Sequence, residues 1–143
     1  MIVTADFAED VNYWQTSKTS TDTWMDRAKK EIDRVGGQVT GEGFISEPGR
    51  AAFLLAFQIE VDNFKMVWPV LESKAGNIKA ARIQAATALY HEVKAACVKA
   101  RFLGARTAFF AYLTLPDGRV ASQLAAPELL DVMPRLLVSP ERE

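Results

Sequence analysis

Two turn sequences inside one alternating apolar stretch constrain the fold of this chain more than any other feature. Pro48-Gly49 has the residue types of the central positions of a type II turn. Asp62-Asn63 has those of a two-residue hairpin turn, because both residues tolerate positive φ. Together the two turns predict a three-stranded antiparallel meander with strands over residues 38–46, 50–61 and 64–71.

Each turn also predicts which residues lie opposite one another across the sheet, since side chains alternate between the two faces of a strand. The predicted pairs on one face are Val61 with Phe64, Ile59 with Met66, Phe57 with Trp68, Leu55 with Val70 and Phe44 with Phe53. The opposite face is flat and carries small residues, namely Gly41, Gly43, Ala52, Ala56 and Pro69. The two turns therefore agree on one heavily aromatic face. The same register places Glu42 beside Leu55, which indicates a frayed sheet edge, a bulge or a buried carboxylate of functional interest, and we favour the edge.

Helical periodicity flanks the meander on both sides. Apolar residues recur every three or four positions over 22–35, and Gly36-Gly37 ends that helix. The alanine-rich stretch 77–103 predicts one long helix that ends at Gly104. Beyond it we expect a strand over Thr107–Leu115, a weaker strand from Arg119 and a last helix from Pro127. The predicted order is α-β-β-β-α-β-(β)-α, an α+β fold whose helices pack on the aromatic face.

Length and composition indicate a single domain over residues 20–143, preceded by an irregular N-terminal arm over 1–19. The chain has 143 residues, of which 49% are hydrophobic and 24% are charged. The single cysteine, Cys97, excludes an internal disulfide, and no apolar run is long enough for a membrane span. The first ten residues carry three acids, which is not typical of a signal peptide. We therefore expect a cytoplasmic protein that needs no membrane.

Charge is segregated along the chain, although the formal net charge is only −1. Residues 1–72 contain seven Lys and Arg against twelve Asp and Glu. Residues 73–115 contain seven basic residues against Glu92 alone, a balance of +6. A basic block of this kind favours a local contact with an anionic partner, provided that the fold gathers it on one surface.

The long second helix gathers much of this block. At 100° per residue, Lys79, Arg82, Lys94 and Arg101 fall within an arc of about 120°, with Tyr90 near its middle. Such a stripe suits a phosphate backbone, and the ring can stack on a base or sugar. The alternative is a solvated helix face. The candidate nucleic-acid-binding residues are Lys74, Lys79, Arg82, Tyr90, Lys94, Arg101 and Arg106.

No complete catalytic or metal-binding constellation is present in the sequence. His91 and Cys97 lie about 120° apart around the helix, so they do not form a dyad, and no cofactor is predicted. The order α-β-β-β-α-β and the Glu72-Ser73-Lys74 triplet resemble restriction-endonuclease-like nucleases. Those enzymes hold a divalent metal with an acid on the second strand and Glu/Asp-x-Lys on the third. Here the strand positions opposite Glu72 are not acidic, and Glu47 across the turn is the nearest acid.

Residues 20–100 also loosely resemble double-stranded-RNA-binding domains in their α-β-β-β-α order. Those domains open the second helix with a Lys-Lys-x-Ala-Lys cluster, where this chain has only Ser73-Lys74 and Lys79. We therefore expect a small nucleic-acid-binding or accessory protein without chemistry of its own. One alternative is a protein-interaction module or homo-oligomer that uses the flat sheet face or a sheet edge. A metal-dependent nuclease, or an inactive relative of one, is the third hypothesis.

Overall fold

The computed structural model describes residues 7–47 and 49–123, and these form an α+β fold as predicted. The described helices are α1 (Thr21–Arg34), α2 (Ile78–Leu103) and the short α3 (Ala105–Ala108). The described strands are β1 (Gln38–Glu47), β2 (Arg50–Ile59) and β3 (Asp62–Pro69), which form an antiparallel sheet in the order β1-β2-β3. Short 3-10 turns lie at Ala8–Asp10, Phe110–Tyr112 and Ala121–Gln123.

Both predicted helices around the sheet are confirmed, and local chemistry explains their ends. The Ser20 hydroxyl caps α1 by accepting a hydrogen bond from the Thr23 amide at 3.2 Å. Gly36 follows α1 in the left-handed region, with φ of +83°, as a helix C-cap favours. Asn77 caps α2 by accepting from the Ala80 amide. The helices therefore begin and end close to the positions that their capping residues predict.

The first hairpin has the predicted register, and the second is shifted. Phe44 lies opposite Phe53, as the Pro48-Gly49 turn requires. The second turn falls at Glu60-Val61 instead of Asp62-Asn63, with φ of +57° at Glu60. Ile59 therefore pairs with Asp62 instead of Met66, and Phe57 pairs with Phe64 instead of Trp68.

Packing explains the shifted turn. The observed register brings the rings of Phe57 and Phe64 together at 5.4 Å, nearly parallel, with Phe109 edge-on to Phe57 at 5.1 Å. It also places Asp62 where Arg106 can bind it. Partners change by an even number of positions, so the same residues still occupy the same face of the sheet.

Helices α1 and α2 lie side by side on the aromatic face and run in the same direction. Their first residues, Thr21 and Ile78, line one cavity, and their last turns meet at a depression lined by Arg34 and Arg101. The core between helices and sheet includes the fully buried Ile32, Leu55, Phe57, Phe64, Met66, Leu89 and Val93. Small residues on α2 let the helix approach this crowded face closely.

The predicted strand over Thr107–Leu115 is wrong. Residues Ala105–Ala108 form α3, and Phe110–Tyr112 form a 3-10 turn. Phe109 between them is completely buried against the core, a position that helical turns supply and a strand at the sheet edge would not. The weaker strand from Arg119 is reduced to one bridge between Thr114 and Val120, and one bridge joins Leu113 to Phe64. The helix predicted from Pro127 lies outside the described residues.

The described part of the N-terminal arm is held on the body of the protein by two polar anchors. Gln84 of α2, only 3% exposed, donates from its side-chain amide to the carbonyl oxygens of Ala8, Val11 and Asn12 at 2.8–3.1 Å. The Glu9 carboxylate accepts from the Ser73 hydroxyl at 2.7 Å.

Two backbone amides complete the second anchor. The Glu9 carboxylate also accepts from the amides of Lys74 at 2.9 Å and Ala75 at 3.2 Å. Desolvation alone would raise the pKa of Glu9. The hydrogen bonds from Ser73, Lys74 and Ala75 together outweigh this effect, so the pKa is lowered from its ordinary 4.5 to about 2.

Replacing Glu9 changes the acid stability of the protein in a defined pH window. Because its folded-state pKa is lowered, ionised Glu9 stabilises the fold above about pH 4.5, and this contribution is lost as pH falls toward 2. We expect Glu9→Gln to lower the free energy of unfolding at pH 7 and to flatten its decline between pH 4.5 and 2. Urea unfolding at several pH values measures both effects. Asp33→Asn is the control, and an identical pH profile for the two variants would contradict the anchor.

Candidate functional site

The structure separates the seven predicted binding residues into different environments. Lys79, Lys94 and Arg101 are exposed, and within residues 7–47 and 49–123 no acidic side chain pairs with them. Lys94 and Arg101 are seven residues apart, two turns of helix and about 10 Å. The outer side of α2 therefore presents two unneutralised cations at a short, regular spacing.

The single acid of the basic block does not neutralise these cations. Glu92 is nine residues before Arg101, which places it about 180° around the helix. Its carboxylate accepts a hydrogen bond from the Tyr112 hydroxyl at 2.7 Å. Burial and this hydrogen bond raise the pKa of Tyr112, so the phenol keeps its proton and remains a donor. Glu92 is thus bound on the side of α2 away from Arg101.

Helix α1 contributes a cation that the sequence reasoning missed. The Arg27 guanidinium lies over the Trp24 ring, 4.8 Å from its centroid, and Trp24 packs against Tyr90 of α2 at 5.2 Å. Arg27 is exposed, and its partner Trp24 packs against Tyr90, which lies about 20° around α2 from Arg101. Heptad-like spacing alone does not reveal it, because its position depends on how α1 packs against α2. We name Arg27, Lys94 and Arg101 the outer helix surface.

Tyr90 lies between this surface and the hydrophobic core. Its half-buried ring belongs to the rim of the hydrophobic core and contacts both Trp24 and His91. Tyr13 from the N-terminal segment stacks on His91 at 5.0 Å with an interplanar angle of 11°. The four rings form one continuous cluster, so Tyr90 positions Trp24, and through it Arg27, instead of standing alone as a stacking platform.

Two of the predicted cations are engaged in ion pairs. Lys74 binds Asp10 at 3.2 Å and lies 5.4 Å from the Phe7 ring, so it helps to hold the N-terminal segment. Arg106 binds Asp62 through both carboxylate oxygens, with Nε–Oδ2 at 2.8 Å. Both side chains of this second pair are largely buried, at 17% and 14% exposed. We therefore leave Lys74 and Arg106 out of the binding surface.

Arg82 occupies a place of its own near the start of α2. Its guanidinium lies over the Phe44 ring at 4.6 Å, and its Nε atom is buried without a hydrogen-bond acceptor. A cavity of about 460 Å³ opens beside it. The lining residues of this cavity are Ser20, Thr21, Ile78, Lys79, Arg82 and Ile83. We name it the Arg82 cavity.

The acids singled out in the sequence do not assemble a metal site. Glu47 and Glu72 line a second cavity of about 550 Å³, but the described part of the chain contains no group of three His, Cys, Asp or Glu side chains able to hold a metal ion. Glu42, beside Leu55 as predicted, binds Lys29 at 2.8 Å. It is a surface ion-pair partner between β1 and α1.

Cys97 is a packed core residue and not a reactive nucleophile. Burial, together with the charge of Glu31, raises the pKa of its thiol to about 11 against the opposing effect of Arg101. At neutral pH the thiol is therefore protonated, which disfavours nucleophilic attack.

Comparison with known proteins adds no family. No family model, no curated protein and no solved structure matches the chain. Within residues 7–47 and 49–123, none of the helices is both long and apolar enough to cross a membrane. The functional information therefore comes from the geometry of the outer helix surface and of the Arg82 cavity.

Substituting Arg106 separates a structural role from a binding role. We expect Arg106→Ala to lower the free energy of unfolding by about 2 kcal/mol, because it leaves the largely buried Asp62 carboxylate without its charged hydrogen-bond donor. Chemical denaturation measures this loss. Nucleic-acid affinity of the folded variant, measured by fluorescence anisotropy, should equal that of the wild type. A selective loss of affinity without a loss of stability would return Arg106 to the binding surface.

Proposed function

We propose that this protein binds the phosphate backbone of nucleic acid through the outer helix surface. The observation that carries the proposal is that Arg27, Lys94 and Arg101 stand exposed on two adjacent helices with no acidic partner among the described residues. Unneutralised cations at helical spacing attract a polyanion and release its counterions on binding. Lys79, about 33 Å along the axis from Arg101, extends the same positive line.

The geometry favours contacts with phosphates over contacts with bases. The outer helix surface lies along the sides of two helices that are packed on the sheet, and its aromatic rings are engaged with one another. Contacts to phosphates fix the position of the backbone but do not read sequence. Binding is therefore expected to be independent of sequence and strongly dependent on salt.

Removing two of these cations reduces the salt dependence by a predictable amount. Each phosphate contact contributes about 0.9 to the slope of log K against log salt for duplex DNA. We expect Lys94→Ala/Arg101→Ala to reduce the slope by about 1.8 and to weaken binding equally for all sequences. Fluorescence anisotropy with labelled duplexes at several salt concentrations measures both values.

A matched control removes the same charge elsewhere. Lys65 is exposed on β3, and Lys99 is exposed about 160° around α2 from Arg101. Lys65→Ala/Lys99→Ala changes the net charge equally, and its slope should stay close to that of the wild type. Equal slopes for the two double variants would show a net-charge effect and would refute the outer helix surface as the binding site.

A second candidate function, a protein-interaction module, rests on an apolar patch at the end of α2. Val98 is 52% exposed, Phe102 83% and Leu103 59%. Large apolar side chains exposed together are typical of contact surfaces between proteins. This patch is a different location from the flat sheet face that the sequence analysis considered.

Self-association tests this second candidate. If the patch joins two copies of the chain, the wild type should dimerise with increasing concentration, and Phe102→Ser should remain monomeric while keeping its fold, because the side chain is mostly exposed. Sedimentation equilibrium measures the mass of both proteins. Val67→Ser, on the flat sheet face, is the control, since Val67 is also 50% exposed. A wild type that stays monomeric at every concentration would contradict self-association.

A further inference from the structure

The Arg82 cavity has the composition of a site for a phosphate group. Its volume of about 460 Å³ lies within the range of small-molecule sites in proteins. Two cationic side chains, Lys79 and Arg82, line it together with the hydroxyl-bearing Ser20 and Thr21, and its described lining contains no carboxylate. The cavity therefore holds positive charge without an internal counter-ion.

The environment of the Arg82 side chain is the feature that indicates a ligand. Its Nε atom is buried and has no acceptor, although a buried donor of a charged group costs free energy when it makes no hydrogen bond. The Phe44 ring holds the guanidinium plane from one side at 4.6 Å. Because Nε itself cannot be reached from the cavity, an acceptor oxygen there would bind the terminal nitrogens of the guanidinium, which Phe44 holds in place.

Lys79 and Thr21 complete the set of donors. Lys79 is exposed at the start of α2 and supplies a second positive charge beside the cavity. Ser20 already shares its hydroxyl with Thr23 at 2.9 Å, whereas Thr21 brings another hydroxyl to the lining. A planar guanidinium, an ammonium group and a hydroxyl suit the oxygens of a tetrahedral oxyanion.

The second cavity indicates what the phosphate group is attached to. Ile78 and Arg82 line both cavities, so the two adjoin. The second cavity, about 550 Å³, is lined by the carboxylate-bearing Glu47 and Glu72, the hydroxyl-bearing Ser46 and the cation Arg50. Carboxylates accept hydrogen bonds from hydroxyl groups, and a guanidinium donates to them. The pair of cavities therefore matches a molecule with one phosphate and several hydroxyl groups.

We propose that the Arg82 cavity binds the phosphate of a singly phosphorylated sugar, whose hydroxyl groups extend toward Glu47 and Glu72. Lys79 and Arg82 hold the phosphate oxygens. The sugar phosphate is either a free molecule or the 5′ end of a nucleic-acid strand. Lys79 also extends the positive line of the outer helix surface, but the site uses none of Arg27, Lys94 and Arg101, so it stands whether or not that surface binds nucleic acid.

Isothermal titration calorimetry of the full chain with ribose 5-phosphate, inorganic phosphate and ribose tests the proposal. We expect ribose 5-phosphate to bind saturably and more tightly than inorganic phosphate, with ribose alone not binding. Lys79→Ala and Arg82→Gln should each weaken ribose 5-phosphate at least tenfold. Lys94→Ala/Arg101→Ala should leave its affinity unchanged. Equal affinity for wild type and Lys79→Ala would overturn the proposal, as would binding no tighter than that of ribose.

Two further arms keep the test decisive. Lys79 is exposed, so Lys79→Ala gives a readout even if Arg82→Gln, which disturbs the contact with Phe44, lowers stability. Glu72→Ala should weaken ribose 5-phosphate but not inorganic phosphate, and an equal effect on both would refute the sugar position. A 5′-phosphorylated oligonucleotide that binds more tightly than its 5′-hydroxyl form identifies a strand end as the source. Equal binding of the two oligonucleotides, together with ribose 5-phosphate binding, identifies the free molecule.

Discussion

The contact among three aromatic rings in the core determines most of this structure. Phe57 of β2 stacks on Phe64 of β3, and Phe109 closes over both from the segment after α2. All three side chains are essentially inaccessible to water. Their burial stabilises the register of the second hairpin and holds the chain after Gly104 against the sheet, with α2 packed in one orientation on the aromatic face. The hydrophobic effect at this point thus stabilises the frame on which the helices lie.

The charged surface is a consequence of that orientation. One side of α2 is buried against the sheet and α1, so the position of each cation around the helix determines whether it is exposed or buried. Lys94 and Arg101 remain in water, and Glu92 is turned to Tyr112 on the other side. Arg82 comes to rest between Phe44 and the start of α1, where its guanidinium is held but not satisfied. The two surfaces proposed to bind anions, the outer helix surface and the Arg82 cavity, therefore both depend on how α2 packs.

Sequence reasoning recovers those parts of the molecule that local rules govern. Side-chain alternation gives the aromatic face, and capping residues give α1 and α2, because both depend on neighbours in the chain. The face survives even the misplaced Asp62-Asn63 turn, since the error shifts the pairing by an even number of residues. The strand expected over Thr107–Leu115 fails because burial of Phe109 outweighs β propensity. The candidate site is harder to predict, because it includes Arg27 through the Trp24–Tyr90 contact and excludes Arg106 through its pair with Asp62, and both contacts join elements distant in sequence.

The parallel arrangement of α1 and α2 has a consequence for how the chain reaches this state. Two neighbouring helices joined by a short loop run antiparallel, whereas these two are joined through the whole three-stranded meander. Helix–helix contact therefore requires closure of a long loop, whose entropic cost is reduced once the two hairpins have formed and shortened the path. Since contacts close in sequence form at a lower entropic cost than distant ones, we expect the hairpins to form before α2 docks on α1.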